Sequence, residues 1–132
     1  MRAGWAALLC LCAAAAAAQE APSQPAAETA EATGALLRGL DKVSGEITDI
    51  EIAAGGSVQF GRLTIAMSDC RYPAEDPSSN AYAHLTIRQE SANPVFDGWM
   101  IASSPALNAL DDARYDVWLL RCNTPAAVPA SE

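Results

Sequence analysis

ITDIEIAAGGSVQFGRLTIAM, residues 47–67, is the stretch whose periodicity decides the fold. Ile50 and Ile52 alternate with Asp49 and Glu51 up to the small-residue break Ala53-Ala54-Gly55-Gly56, after which apolar alternation resumes at Val58. A period of two on both sides of a glycine-rich break reads as two strands joined by a turn. In the second run Val58 and Phe60 share one parity, whereas Leu63, Ile65 and Met67 share the other. A bulge or bend at Gly61 is the expected reconciliation of the two phases.

The same period extends outward. Ala81–Arg88 alternates Ala83, Leu85 and Ile87 against Tyr82, His84, Thr86 and Arg88, and further strands are expected around Val95–Ala102 and Tyr115–Cys122. The proline-rich stretch 72–80 and Ser91-Ala92-Asn93-Pro94 carry turn chemistry. Ser104-Pro105 before Ala106–Leu110 predicts one short helix with a serine N-cap, and residues 33–40 are expected to form a turn of helix. Five to six short strands, one helix and no βαβ rhythm give an all-β class, a small antiparallel barrel or sandwich.

The chain has 132 residues, 29 of them alanine, with 8 basic and 16 acidic side chains and a net charge of -8. That length holds one domain, and the acidic balance argues against nucleic acid, whose phosphates select a basic face. Residues 1–18 combine Arg2, a short apolar stretch and six alanines ahead of Gln19-Glu20, the pattern of a cleaved secretory signal. The stretch is too short and too alanine-rich for a membrane anchor, and no transmembrane span is expected after cleavage. Neither Cys10 nor Cys12 follows the small residue that a lipoprotein site would want. Removing the signal leaves Cys70 and Cys122 as an even pair, which in an oxidising periplasm predicts a disulfide. Residues 19–35 and 123–132 lack aromatics and all but one larger aliphatic, Val128, so they read as a disordered linker and tail around a β-domain at 36–122.

GWMIASSPALNAL (residues 98–110) and YDVW (residues 115–118), with Leu40–Gly45 and Phe60–Ile65, resemble an uncharacterised, exported, mainly alphaproteobacterial family, a domain of unknown function. The resemblance spans nearly the whole folded unit and implies an exported protein with two cysteines matching Cys70 and Cys122. Members of that family often carry His-Pro before the tyrosine of the second segment, where this chain has Ala113-Arg114, which argues against an essential catalytic histidine there.

No constellation points to catalysis. A triad of Ser103 or Ser104, His84 and one of Asp97, Asp111 or Asp116 can be assembled on paper, but there is no Gly-x-Ser-x-Gly elbow and the Ser-Ser-Pro run has a capping role available. Glu75-Asp76 and Asp111-Asp112 lack calcium-loop spacing, and His84 has no metal-ligand neighbour. No catalytic residue, metal or cofactor is therefore expected. Binding is the favoured class: Tyr72, Tyr82, Trp99, Ser103, Ser104, Tyr115 and Trp118 form the candidate interaction surface. Trp99 and Trp118 have the core as their rival location, and Tyr72 and Tyr82 flank the proline-rich loop. The expected role is a non-catalytic periplasmic accessory or interaction protein, its envelope partner belonging to a membrane complex. The alternative is a small-ligand module for a glycan or peptidoglycan fragment.

Overall fold

The computed structural model describes residues 27–90 and 93–124. The expected signal, most of the linker, the tail beyond Thr124 and the first half of the turn at Ser91-Ala92 lie outside the described residues. Eight strands follow in chain order: β1 Thr29–Glu31, β2 Gly34–Asp41, β3 Ile47–Ala53, β4 Ser57–Phe60, β5 Leu63–Pro73, β6 Tyr82–Gln89, β7 Pro94–Ile101 and β8 Tyr115–Asn123. They form two antiparallel sheets stacked as a sandwich that does not close into a barrel. In the larger sheet β5, β6 and β7 run side by side, and β1 and β4 also pair with β5. The smaller sheet has the order β3-β2-β8.

The small-residue break at 53–56 carries the chain from one sheet to the other. Gly55 takes φ +79°, a conformation that glycine adopts at no steric cost. Its N–H donates to the Met67 carbonyl at 2.8 Å, and the Met67 N–H returns a bond to Gly56 at 3.0 Å. The corner is thus tied to β5 before β4 begins.

Gly61 is not a bulge. Phe60 pairs with Leu63 and Val58 with Ile65, so Gly61-Arg62 is a two-residue hairpin loop, with Gly61 at φ +57°. The turn reverses the chain, and residues of opposite parity on β4 and β5 then face the same core. That extra turn, together with β1, raises the strand number above the expected five to six. The bulge in this region is at Ser68, between Met67 paired with Leu85 and Asp69 paired with His84.

The expected helical turn at 33–40 is instead strand β2. Ala35 and Leu37 are fully buried, the outward residues are half-exposed, and β2 is laddered on both sides by β3 and β8. The ordered unit also begins earlier than Leu36, because β1 pairs with residues 71–73 and Ala32 and Ala35 are buried. Backbone pairing recruits this segment despite its small side chains, which also permit a close approach of the two sheets. At the other end Asn123 belongs to β8 and Thr124 is buried. The predicted helix shrinks to a 3-10 turn at Pro105–Leu107, without a side-chain cap from Ser104.

Leu37, Leu63, Ile65, Met67, Leu85, Ile87 and Leu119 fill the core. Cys70 of β5 and Cys122 of β8 form the expected disulfide between the sheets, with Cα atoms 5.9 Å apart. One end of the sandwich is closed by Phe60, whose ring lies against Gly39 of β2 and meets Tyr115 edge-on at 5.4 Å.

Two measurements test this arrangement. A Cβ at Gly61 would lie 2.4–2.7 Å from the Tyr115 ring, on a residue already at positive φ. Gly61→Val is therefore expected to destabilise by more than about 1 kcal/mol, and an unchanged melting curve would reject the close contact. Thiol titration of the denatured, unreduced protein should find neither Cys70 nor Cys122 free, and two titratable thiols would refute the bridge.

Candidate interaction surface

The segment from Ala102 to Arg114, between β7 and β8, carries no long regular element, yet polar bonds hold it along its length. Ala102 N–H donates to the Ala81 carbonyl at 2.9 Å, and Ser103 N–H donates to Asn80 Oδ1 at 3.1 Å. Asn108 Nδ2 reaches back to the Trp99 carbonyl at 2.9 Å, which satisfies an acceptor on β7. That approach requires glycine at 98, where a Cβ would stand 2.9 Å from the Asn108 amide. At the far end Asp112 Oδ1 accepts the N–H groups of Arg114 and Tyr115, both at 2.8 Å. Lys42 Nζ donates to the Asp112 carbonyl at 2.6 Å.

This pinned segment builds two recesses with β8. An apolar groove of about 380 Å³ runs between Pro105, Ala106, Ala109 and Leu110 on one wall and Val117 and Trp118 on the other. A second cavity of about 580 Å³ lies between residues 77–80, Ala102-Ser103 and the end of β8. Leu107, at the crest of the segment, is 75% exposed. The two most distinctive stretches of the sequence, 98–110 and 115–118, thus meet across one side of the molecule.

The seven expected surface residues separate into three groups. Tyr72 and Tyr115 are 8% and 4% exposed, so they belong to the core and are withdrawn from the surface. The alternation of β5 that buries Cys70 turns Tyr72 inward, and Tyr115 faces inward against Phe60 and Gly61. Ser103 is exposed and lines the larger cavity, half-buried Trp118 lines the apolar groove, and half-buried Ser104 starts the 3-10 turn between them. Trp99 and Tyr82 stand apart, on the outer face of the larger sheet.

On that outer face Trp99 is 42% exposed and in register with His84. The two rings meet edge-to-face, with centroids 5.3 Å apart. His84 Nδ1 lies 3.1 Å from Ser68 Oγ, and His84 Nε2 lies 3.6 Å from Asp97 Oδ1, which also accepts the Thr86 hydroxyl at 3.3 Å. The serine beside His84 is therefore Ser68, displaced outward by the bulge, and not Ser103 or Ser104. Among the described residues no cluster of three metal-ligating side chains occurs.

Ion pairs tie the strands of the smaller sheet to one another and to the segment before β8. Arg114 donates to Asp41 at 2.9 Å, and the hydrogen bond from this guanidinium holds the Asp41 carboxyl below its ordinary value. The hydrogen bond from Arg38, at 2.7 Å, does the same for Asp49. A carboxyl depressed in the folded state contributes stability that is present above its unfolded value and is lost as pH falls through the folded one. Both pairs are partly exposed, so the gain is modest. Melting temperature is expected to decline as pH drops below about 4, and to decline less in Asp41→Asn; a flat profile in the parent protein would contradict this assignment.

Residues 35–122 match a family described as an uncharacterized protein conserved in bacteria (DUF2155). The chain is also similar to uncharacterized protein RP359 of Rickettsia prowazekii (strain Madrid E), with 25% identity over 100 residues that cover 73% of this chain and 64% of that protein. It thus spans less than two thirds of the length of that relative. No solved structure matches. The chain belongs to the DUF2155 family.

Proposed function

We propose that this member of the family is a non-catalytic interaction or accessory protein of the cell envelope, held in the periplasm, that docks on a membrane complex through the side built by residues 102–110 and β8. The observation that carries the reading is the pinned 102–114 segment. Hydrogen bonds fix it at Asn108 and Asp112, Leu107 within it is exposed, and an apolar groove lies between it and Trp118. Exposed apolar and aromatic groups on a rigid frame are what a protein interface needs, because little ordering entropy remains to be lost on binding. The signal-like first eighteen residues and the cross-sheet disulfide support an oxidising location. Among the described residues no helix is long and apolar enough to cross a membrane. The acidic surface favours a neutral or cationic partner and disfavours nucleic acid.

A photo-crosslinking residue placed at Leu107 or Trp118 in the native bacterium tests this. Both positions are expected to give the same envelope-protein adduct, whereas Gln59 on the outer face of the larger sheet should give none. A protein recovered uncrosslinked in the soluble periplasmic fraction would overturn the reading.

One observation favours a second reading, a small-ligand module for a glycan or peptidoglycan fragment. The larger cavity adds hydroxyl and amide side chains, Ser78, Ser79, Asn80, Ser103 and Thr124, to an aliphatic lining from Pro77, Ala102 and Leu120.

A further inference from the structure

The larger cavity, about 580 Å³, falls within the range of small-ligand sites and differs in character from the groove beside Trp118. Its shape is fixed. Asn80 Oδ1 accepts the N–H groups of Ala81 at 2.9 Å and Ser103 at 3.1 Å, so one side chain locks the loop ahead of β6 to the segment after β7. Cys122, held by its disulfide, anchors the β8 side. Ser78 and Ser79 spend their hydroxyl protons on Asp76, at 3.2 and 2.7 Å, which leaves their oxygens as acceptors. The hydroxyls of Ser103 and Thr124 carry no hydrogen bond among the described residues. Pro77, Ala102 and Leu120 supply aliphatic surface between these polar groups. Donors, acceptors and short apolar faces in alternation match a sugar ring, whose hydroxyls and C–H faces alternate in the same way.

Charge narrows the ligand further. Arg38, Lys42, Arg71 and Arg114 are each engaged by a carboxylate within 4.0 Å. Arg121, which lines this cavity, has no ion pair of that kind among the described residues, and its charge reaches Asp49 only through space. Arg121 is exposed and lines this cavity, and a guanidinium is suited to a carboxylate because it presents paired donors to both oxygens. Glu75 and Asp76 stand just ahead of Pro77, so a polyphosphate would meet opposing charge, whereas a single carboxylate would not need to approach them.

We infer that this cavity binds a small sugar acid, with its carboxylate on Arg121 and its hydroxyls on Ser103, Thr124 and the Ser78-Ser79 oxygens. The inference rests on the ligand-module reading and is independent of the partner surface at Leu107 and Trp118. Glucuronate and N-acetylmuramate, titrated separately into the full chain, should shift the amide resonances of Ser79, Asn80, Ser103 and Thr124. Glucose and N-acetylglucosamine should bind at least about tenfold more weakly, as expected for the loss of one charge-assisted bond. Arg121→Gln should lose affinity for the acids by a similar factor and keep the neutral-sugar affinity, and Ser103→Leu should abolish both by filling the cavity. Unchanged melting curves would confirm that both variants fold. Equal binding of acidic and neutral sugars, or no effect of Arg121→Gln, would overturn the carboxylate assignment and leave the ligand-module reading standing. An absence of shifts with every sugar would overturn both, and preferential binding of an Ala-Ala dipeptide would replace the sugar acid by a peptide terminus.

Discussion

The bridge between Cys70 and Cys122 is the constraint on which the rest of this small sandwich depends. It joins β5, at the centre of the larger sheet, to β8, which closes the smaller one, and spans 52 positions of sequence. On the chain-entropy account, closing a loop of that length in the unfolded state stabilises by about 4 kcal/mol, a large share of what a domain of this size can muster. The core beneath it is made of medium aliphatics and alanines, with Phe96, Tyr72 and Tyr115 the rings that enter it. Such a core buries limited apolar area, and a covalent tie is the usual supplement.

Small residues do a second task, which is to set how closely the layers approach. Phe60 lies against Gly39 and Tyr115 against Gly61, so each ring occupies the space that a Cβ would have taken. With two rings turned inward at that end, the tryptophans are left for the surface. Trp99 stands on the outer face of β7 against His84, and Trp118 edges the groove beside β8. Neither forms part of the buried core, although a composition so poor in large residues made the core a natural place for both.

Much of the fold could be read directly from the chain, because alternation is a local property. The strands β3, β6, β7 and β8 follow from period and parity, and the cysteine pair follows from the even count left once the expected signal is removed. The proline-rich loop was legible too, although its first two residues, Tyr72 and Pro73, extend β5, and the helix expected at 104–110 is mostly irregular. What escaped depends on partners distant in sequence. The parity change at Gly61 was visible, but a bulge and a two-residue hairpin produce the same change, and only the pairing of Phe60 with Leu63 tells them apart. Thr29–Glu31 lacks the apolar signal of a strand and is recruited by pairing with residues 71–73. For the site, Ser103 and Trp118 were legible as members of a distinctive segment. Asn80 and Arg121 were not, since nothing in the sequence near them announces that loop 77–80 and the end of β8 share a cavity. Ser68 was missed for a similar reason: its place beside His84 comes from a bulge that only the register with β6 reveals.

The distribution of charge links these features. Four cations on this acidic chain are engaged by carboxylates: Arg114 on Asp41 and Lys42 on Asp116 near strand ends, Arg38 on Asp49 directly across β2 and β3, and Arg71 on Asp69 and Glu31. Each exposed pair contributes little alone, yet together they orient β2 against β3 and β8 and β1 against β5. They also remove positive charge from most of the surface, so the excess acids set the long-range field and an anionic partner is repelled on approach. An anion is then accepted most readily where a guanidinium is left without a carboxylate and further hydrogen-bonding groups line the same recess. Arg121 has no ion pair among the described residues and lines the same cavity as Ser103 and Thr124. The same pairing that stabilises the sheets thereby determines where on the molecule a carboxylate could be recognised.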